Sequence, residues 1–320
     1  MIPLSVIIPF YNSAKYLRRT TRSLLAQTLA DIEYIFVDDG SLDSSRKVIE
    51  ETLEEFPEKK NQVIICSSRK DGKNGGIGQA RQAGLEKARG EYITYCDSDD
   101  WLDEKYYENL YLAVIANNAD MAVGDHCLES KDSTTLIRTP DLRNWEEFKH
   151  HSNWFHLSLW NRIIRRALIK ENNLRFEKGI NLAEDYGFVI KAYFYSKKNC
   201  HIGSDALYHY DKTNEASLTT NVCLSSNLQR IQNLKLIDSF FKERNEDLTA
   251  CGVHKIEKFV AKNTLISHGR LKLWKSTFPE TASMIFNDDQ CSKLYKCVYM
   301  SSQYLSWRIL YLYNIAHKLR

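Results

Sequence analysis

Short apolar runs and amphipathic stretches alternate along the first 124 residues of the chain. Five apolar runs predict strands, at 4–9, 33–37, 63–66, 92–96 and 121–124. Four stretches between them carry apolar residues at helical spacing and predict helices, at 15–28, 44–56, 78–88 and 104–118. Strands that alternate with helices in this way predict right-handed crossovers and a mainly parallel sheet covered by helices.

The pattern is weaker in the rest of the chain. Helices are predicted at 160–170 and 184–195, and short strands at 200–202 and 206–210. The segment 130–153 has no clear periodicity, and we interpret it as a loop over a binding site. After Thr220, helical spacing continues to the last residue. We therefore predict an α/β domain over 1–219 and a helical region over 220–320.

Polar residues follow three of the predicted strands, namely Asn12, Asp38-Asp39 and Asp97-Ser98-Asp99. In open parallel sheets, ligands bind at the carboxyl ends of the strands. Asp97 and Asp99 are two residues apart, and two carboxylates held close together repel each other unless a cation lies between them. Their oxygens suit Mg²⁺ or Mn²⁺ that is shared with phosphate groups. An acidic turn that caps the following helix explains the same residues without a metal.

Two further segments have both a binding and a structural explanation. Asp39 can accept hydrogen bonds from a base or a ribose, or it can serve an Asp-Gly turn. The Gly- and Lys-rich loop 67–76 leads into a helix whose N-terminus can lie beside an anion, or it is a solvated basic surface. This loop is not a dinucleotide fingerprint, because Arg81 stands where that motif needs Gly or Ala. Arg81 is the candidate to supply positive charge there.

Four residues in the second half of the domain are also candidates for the site. Glu184 and Asp185 begin a predicted helix, where the helix dipole favours acids, or one of them is a general base. His209 is either a structural hydrogen-bonding residue or a third protein ligand of the metal. Trp160, like Trp101 in the first half, is either a core residue or a platform for a sugar face.

Composition narrows the class of protein. Of the 320 residues, 43% are apolar and 27% are charged, as in globular proteins. The net charge is +3 and the sequence has no dense basic stripe, so we predict no nucleic-acid partner. The eight cysteines lack the spacing of a zinc knuckle or redox motif, which favours a reducing, cytoplasmic setting. The first residues do not resemble a signal peptide, and no apolar run approaches the roughly 20 residues that cross a bilayer.

Taken together and in this order, the motifs resemble the family 2 glycosyltransferases, which have the nucleotide-diphospho-sugar (GT-A) fold. The resemblance covers residues 2 to 219. It is carried by 6–12 (VIIPFYN), 36–41 (FVDDGS), 78–84 (GQARQAG), 95–101 (YCDSDDW), 159–161 (LWN), Glu184-Asp185 and the segment from Tyr208 to Leu218. The sequence departs from the family at Gln82, where Asn is common, and in the long loop before Gly78.

The resemblance implies roles on the donor side. It implies that Pro9, Phe10 and Tyr11 line the nucleotide pocket and that Asp39 holds the base, commonly uracil. It also implies that Asp97 and Asp99 bracket the nucleotide, with Asp99 the stronger candidate for direct contact with the divalent metal. From the residues alone, His209 is the candidate third protein ligand of that metal.

It further implies roles in transfer. Asp185 matches the catalytic base of an inverting displacement, in which an acceptor hydroxyl attacks from the face opposite the diphosphate. We expect Trp101, Trp160 and Glu184 on the acceptor side.

The last thirty residues form a separate feature. Residues 291–320 contain five basic residues, no acid, six interleaved aromatic residues and apolar residues at helical spacing. Such a helix can lie on an anionic bilayer, which would make the protein peripheral to the inner face of the cell membrane. The alternative is a helix that docks on the catalytic domain or on another subunit of a homo-oligomer.

The sequence thus predicts an inverting, metal-dependent glycosyltransferase that uses a nucleotide-diphospho-sugar and a glycan or lipid-linked acceptor, as in cell-surface polysaccharide synthesis. One alternative is a catalytically silent nucleotide-sugar-binding module that scaffolds a polysaccharide assembly complex. A second is a nucleotidylyltransferase, which would need a Gly-rich basic loop after the first strand, where this chain has Tyr11-Asn12-Ser13-Ala14.

Overall fold

The computed structural model describes residues 2–151, 157–203, 205–214 and 222–281. Contacts between residues divide the chain into two compact units. The first comprises Met1–Phe148 and Phe155–Asn221, and the second comprises Lys149–Trp154 and Val222–Arg320. The amphipathic tail predicted at 291–320 lies outside the described residues, as does Thr220.

The first unit opens with alternating strands and helices, as the sequence pattern predicts. The strands are β1 (Leu4–Phe10), β2 (Glu33–Asp38), β3 (Val63–Ser67) and β4 (Tyr92–Tyr95). The helices between them are α1 (Ala14–Leu25), α2 (Ser45–Leu53), a 3-10 helix (Pro57–Gln62) and α3 (Ile77–Lys87). β1 is buried along its whole length, because helices cover both faces of the sheet.

The unit continues with β5 (Trp101–Leu102), α4 (Tyr106–Asn117), β6 (Met121–Gly124), β7 (His126–Glu129), β8 (Thr134–Ile137) and most of α5 (Trp145–His150), whose last two residues belong to the second unit. It ends with β9 (Arg162–Arg165), α6 (Arg166–Glu171), α7 (Glu184–Tyr195), β10 (Asn199–Ile202) and β11 (Tyr208–Asp211). Two predictions are wrong here. The segment 130–153 contains a strand and a helix, and the predicted helix at 160–170 begins as a strand.

The main sheet has seven strands among the described residues, in the order β10-β6-β9-β4-β1-β2-β3. All neighbouring pairs are parallel except those of β9, which runs antiparallel to β4 and to β6. The apolar spacing around Ile163 and Ile164 fits a helix as well as a strand, but both residues are buried in a strand whose backbone pairs with β4 and β6. The mainly parallel, helix-covered sheet that the sequence predicts is thereby confirmed.

A second sheet has the order β5-β11-β7-β8. β11 lies between β5 and β7, antiparallel to the first and parallel to the second. β5 starts directly after Asp100, so the acidic motif that follows β4 connects the two sheets. The site is built at this junction.

The second unit is helical in its described part, with α8 (Leu224–Lys242), α9 (Gly252–Ser267) and α10 (Leu271–Ser276). Buried apolar residues of α8 and α9, including Leu234, Ile237 and Ala261, form its interior. Among the described residues, every helix is too short or too polar to span a membrane.

Candidate functional site

The acidic motif after β4 has its three carboxylates in different environments. Asp97 is a quarter exposed, and its Oδ1 accepts a hydrogen bond from Arg81 Nη2 at 2.9 Å. Asp99 accepts one from the Asn214 side chain at 2.7 Å. Asp100 is fully buried. Asp97 and Asp99 are therefore the members of the motif that can face a ligand.

Asp99 carries an electrostatic cost. Burial, together with the negative charge of Asp97, raises the pKa of the Asp99 carboxyl to about 6, although the Asn214 hydrogen bond opposes this. A buried carboxylate whose proton affinity is raised by a second carboxylate beside it belongs to a donor set that a hard divalent cation neutralises. The pair fits Mg²⁺ or Mn²⁺.

Asp100 holds the motif in place. Its carboxylate accepts hydrogen bonds from the Tyr208 hydroxyl at 2.6 Å and from the Asp211 backbone N–H at 2.8 Å. From the other side, the Thr20 hydroxyl donates to the carbonyls of Ser98 and Asp100. Burial, followed by the charges of Asp99 and Asp97, raises the pKa of Asp100 well above its usual value. This residue fixes the turn that presents Asp97 and Asp99.

Arg81 joins the acidic motif to the start of α7. One guanidinium nitrogen donates to Asp97 and the other to Glu184. Its side chain is only 5% exposed. Burial lowers the pKa of Arg81, but the carboxylates of Glu184, Asp97 and Asp185 outweigh that effect and raise it. Arg81 therefore lies among carboxylates, not free to meet a phosphate as the sequence suggests, and we treat it as a positioning residue.

Three carboxylates thus surround one guanidinium. Burial raises the pKa of Glu184, Arg81 lowers it, and Asp185 and Asp97 raise it; the net result is a pKa of about 7. These couplings show that Asp97 belongs to one cluster with Glu184 and Asp185, although it is far from both in sequence. Asp185 is partly exposed in the first turn of α7, where the helix dipole favours a negative charge.

The ends of β1 and β2 lie side by side. The Asp39 backbone N–H donates to the Phe10 carbonyl at 2.9 Å. Pro9 and Phe10 are buried within β1, whereas Tyr11 is 45% exposed immediately after it. Of the three residues expected to line a nucleotide pocket, Tyr11 is the one whose ring is accessible.

Asp39 organises the loop before α3. Its Oδ1 accepts from the Ser68 hydroxyl at 2.5 Å and the Gly75 N–H at 2.9 Å, and its Oδ2 accepts from the Gly76 N–H at 2.8 Å. A carboxylate offers about four acceptor positions, so these three bonds leave capacity for one more donor. The loop 68–76 is thus anchored at the edge of the sheet where the carboxyl ends of β1 and β2 lie.

The rings of Trp101 and Trp160 both pack against other side chains of the protein. Trp160 is 5% exposed and stacks on Tyr208 with ring centroids 4.5 Å apart. The Arg19 guanidinium lies 3.8 Å from the Trp101 ring centroid, and the His209 ring stacks on Trp101 at 5.0 Å. Trp160 is therefore a core residue, which corrects its expected place on the acceptor side. Trp101 holds a local stack.

His209 is placed differently from the prediction. Its Nδ1 lies 2.7 Å from Glu129 Oε1, and its Nε2 lies 3.4 Å from Asp103 Oδ1. Both ring nitrogens therefore face carboxylates other than Asp97 and Asp99. In the site at the sheet edge, the polar partner of Asp99 is Asn214, which the sequence analysis missed because an Asn in a polar loop has no distinctive pattern.

The fold and this site define a class. A helix-flanked mixed sheet with an acidic motif after its fourth strand, facing the acidic start of a later helix, is a GT-A-like transferase fold. The "Glycosyl transferase family 2" family model matches residues 5–180. The chain belongs to glycosyltransferase family 2, which confirms the resemblance.

Individual relatives of the chain are also named as glycosyltransferases. The chain is 30% identical over 221 residues to "Glycosyltransferase GlyA" of Streptococcus pneumoniae serotype 4, covering 65% of this chain and 30% of GlyA. It is 30% identical over 213 residues to "Poly(ribitol-phosphate) beta-N-acetylglucosaminyltransferase TarP" of Staphylococcus aureus, covering 65% of this chain and 62% of TarP. This chain thus spans under a third of GlyA and less than two thirds of TarP.

A solved structure has the same fold. S. aureus TarS 1-349 in complex with UDP-GlcNAc aligns with a TM-score of 0.67 and 19% identity, over 88% of this chain and 80% of that one. At this identity the likeness concerns the fold.

Proposed function

We propose that this protein is an inverting glycosyltransferase that moves a sugar from a nucleotide-diphosphate donor to a polymer or lipid-linked acceptor. The observation that carries the proposal is the Arg81 guanidinium, which bridges Asp97 after β4 and Glu184 at the start of α7. It holds a candidate donor-binding acid close to Glu184, the immediate neighbour of the candidate base Asp185, as transfer between two bound substrates requires.

The donor side is proposed from the ends of β1, β2 and β4. Asp39 has acceptor capacity for a base N–H, and Tyr11 offers an exposed ring at the same edge. Asp97 and Asp99 would hold a divalent metal, which would stabilise negative charge on the departing diphosphate. His209 is left out of this ligand set because its nitrogens face Glu129 and Asp103. A uridine donor agrees with the UDP-GlcNAc bound to TarS.

The chemistry is assigned to Asp185. Its carboxylate takes the proton of the acceptor hydroxyl as that oxygen forms a bond to the anomeric carbon. The bond from that carbon to the diphosphate breaks on the opposite face, and the diphosphate leaves with the bonding electrons. One displacement of this kind inverts the configuration. Glu184 is buried, whereas Asp185 is partly exposed in the same helical turn, which favours Asp185 as the base.

The acceptor class is inferred from relatives. TarP is named for transfer to poly(ribitol-phosphate). We infer an acceptor of the same broad class, a polymer of the cell surface or its lipid-linked precursor. We keep Glu184 as a residue near the acceptor, because it is adjacent in sequence to Asp185, the proposed base.

Asp185→Asn is the direct test. Loss of the base should lower turnover by at least about a hundredfold, since general-base catalysis contributes roughly 10²–10⁴. Donor affinity measured by calorimetry with UDP and Mn²⁺ should change less than about threefold. Asp132→Asn, an exposed acid in the turn between β7 and β8, is the matched control and should keep full turnover. Unchanged turnover in Asp185→Asn would remove Asp185 from the mechanism.

Donor hydrolysis separates this proposal from a silent scaffold. Many transferases release nucleotide slowly when water replaces the acceptor, whereas a binding module leaves the donor intact. We expect UDP release from a UDP-sugar in the presence of Mn²⁺, and expect its loss in Asp185→Asn. If the protein bound a donor tightly but released no nucleotide with any donor or acceptor tested, the scaffold would be favoured.

A further inference from the structure

A second set of metal-ligating side chains lies on one face of the β5-β11-β7-β8 sheet. His209 on β11 is the register partner of Cys127 on β7. Glu129 follows Cys127 by two residues, and side chains two apart on a strand point to the same face. The sheet register therefore places a thiol, a carboxylate and an imidazole together.

The atoms that could bind a metal are close. One ligand atom from each of Cys127, Glu129 and His209 lies within 4.8 Å of the other two. His209 Nδ1 is 2.7 Å from Glu129 Oε1. Bonds from zinc to sulfur, nitrogen and oxygen are about 2.0–2.3 Å, so atoms this close can converge on one ion by small side-chain rotations.

The other nitrogen of the imidazole strengthens the case. His209 Nε2 is buried and makes no direct hydrogen bond, yet Asp103 Oδ1 lies 3.4 Å from it. A neutral imidazole has one N–H and one lone pair, so one of the two flanking carboxylates faces a lone pair. A cation at Nδ1 removes this conflict, as a second ring proton would, because Nε2 then carries its proton on the side of Asp103. Histidines that bind metals commonly donate their second N–H to a carboxylate in this way.

We propose that Cys127, Glu129 and His209 bind a zinc-type divalent cation, with Asp103 orienting the His209 ring. The set of one sulfur, one nitrogen and one oxygen suits Zn²⁺, whereas the oxygen-only pair at Asp97 and Asp99 suits Mg²⁺ or Mn²⁺. A three-ligand zinc site keeps a fourth position for water. The ion would tie β7 to β11 and brace the stack of His209 on Trp101.

The thiol of Cys127 lies beside negative charge, which a bound cation would offset. Burial, then the negative charges of Glu129 and Asp103, raises the pKa of the Cys127 thiol above its usual value. A bound cation reverses the effect of those charges and displaces the thiol proton. The proposal does not depend on the transferase reaction, so the two can fail separately.

Cobalt is a suitable probe because a thiolate–Co²⁺ bond gives a charge-transfer band in the near ultraviolet. The full chain, stripped with chelator and then saturated with Mg²⁺ and UDP to occupy the donor site, is titrated with Co²⁺. We expect one equivalent to develop the band, and stoichiometric Zn²⁺ to abolish it. Absence of the band would overturn the site.

Variants identify the ligands. Cys127→Ser should lose the band, whereas Cys200→Ser, a half-buried cysteine on β10, should retain it. Asp103→Asn should keep the band but weaken Co²⁺ binding by tenfold or more, as loss of a partner of a metal-bound histidine does. A band that survives in Cys127→Ser would overturn the assignment. If Cys127→Ser fails to fold, the Asp103→Asn titration decides, and unchanged affinity there contradicts the proposal.

Discussion

Arg81 is the residue on which the site depends most. It is buried, it makes ion pairs with Asp97 and Glu184, and it neutralises part of a three-carboxylate cluster. Burying a guanidinium between two acids costs desolvation free energy. Removing it destabilises the fold far more, because the acids then remain buried without their partner.

Arg81→Met is therefore expected to lower the free energy of unfolding by about 3–5 kcal/mol. Chemical denaturation followed by circular dichroism measures this. Arg18→Met is the control, since Arg18 pairs with Glu51 and Glu55 on the surface, where such pairs contribute about 0–1 kcal/mol. Adding Glu184→Leu to Arg81→Met should recover part of the loss, because the two side chains act as a unit. Strict additivity of the two substitutions would contradict the coupling.

Asp99, a proposed metal ligand, is held in the fold at an electrostatic cost. Its pKa is raised from 3.8 to about 6, so the folded state holds its proton more tightly than the unfolded state. The stabilisation linked to this proton is present in full below about pH 4 and is lost as the pH rises through 6. Above pH 6 the folded protein carries a charged Asp99 at a cost of about 3 kcal/mol.

Asp99→Asn is expected to stabilise the metal-free protein at pH 7.5 by up to about 3 kcal/mol. Thermal unfolding measured from pH 4 to pH 8 should show the two proteins equal near pH 4 and separating up to pH 6. The variant should also lose the Mn²⁺-dependent part of UDP binding. Equal melting temperatures at pH 7.5 would show that Asp99 has its ordinary proton affinity.

At the scale of elements, the site depends on how closely α3 approaches the turn before α7. A Cβ on Gly78 would overlap the carbonyl oxygen of Ile180, and the Gly78 N–H donates to Asn181. The turn ends at Ala183, which has a left-handed backbone with φ of 59°. Glu184 and Asp185 follow at once, so the position of α3 sets the position of both acids.

Gly78→Ala is expected to displace the 180–181 turn and to lower turnover by about tenfold or more, because small misplacements of catalytic groups reduce rates strongly. Overpacking should also cost about 1–3 kcal/mol of stability. Gln79→Ala, at the exposed neighbouring position, is the matched control. Steady-state kinetics at saturating donor give the comparison, and a Gly78→Ala enzyme as active as Gln79→Ala would show that the turn is not held by α3.

Whether an element is formed by local or by distant contacts explains which sequence predictions failed. Strands β1 to β4 and helices α1 to α4 are short, periodic and local, and the sequence pattern places them well. β9 was predicted as helix because Ile163 and Ile164 suit either structure. Only the space between β4 and β6, strands that come from distant parts of the chain, decides in favour of an antiparallel strand.

At the scale of the molecule, the proposed donor and base residues all lie in the first unit. That unit has its own buried core, which runs from Leu4 on β1 to Tyr208 on β11. The second unit has a separate interior formed by α8 and α9. We therefore propose, as the sequence pattern suggests, that the catalytic domain ends near residue 219.

A chain ending at residue 221 is expected to unfold cooperatively and to bind UDP with Mn²⁺ within about threefold of the full chain. Calorimetric titration and a thermal melt test this, with Asp99→Asn in both chain lengths as the control for specific binding. Loss of UDP binding in a folded short chain would show that the second unit completes the donor site.

The sequence alone determined the alternation of strands and helices, the order of the motifs and the family. These are encoded locally, since burial on one or both faces appears as a periodicity within about ten residues. It also placed Asp39, Asp97 and Asp185 at the starts and ends of elements, where ligands bind.

The tertiary structure decided which charges meet. Arg81 and Glu184 are 103 positions apart, and His209 and Glu129 are 80 apart. No periodicity records such pairs, because each depends on how two sheets and their helices pack. The sequence could therefore supply the candidate acids and His209, while packing assigned Arg81 to the acids at the sheet edge and His209 to a thiol and carboxylates on the second sheet.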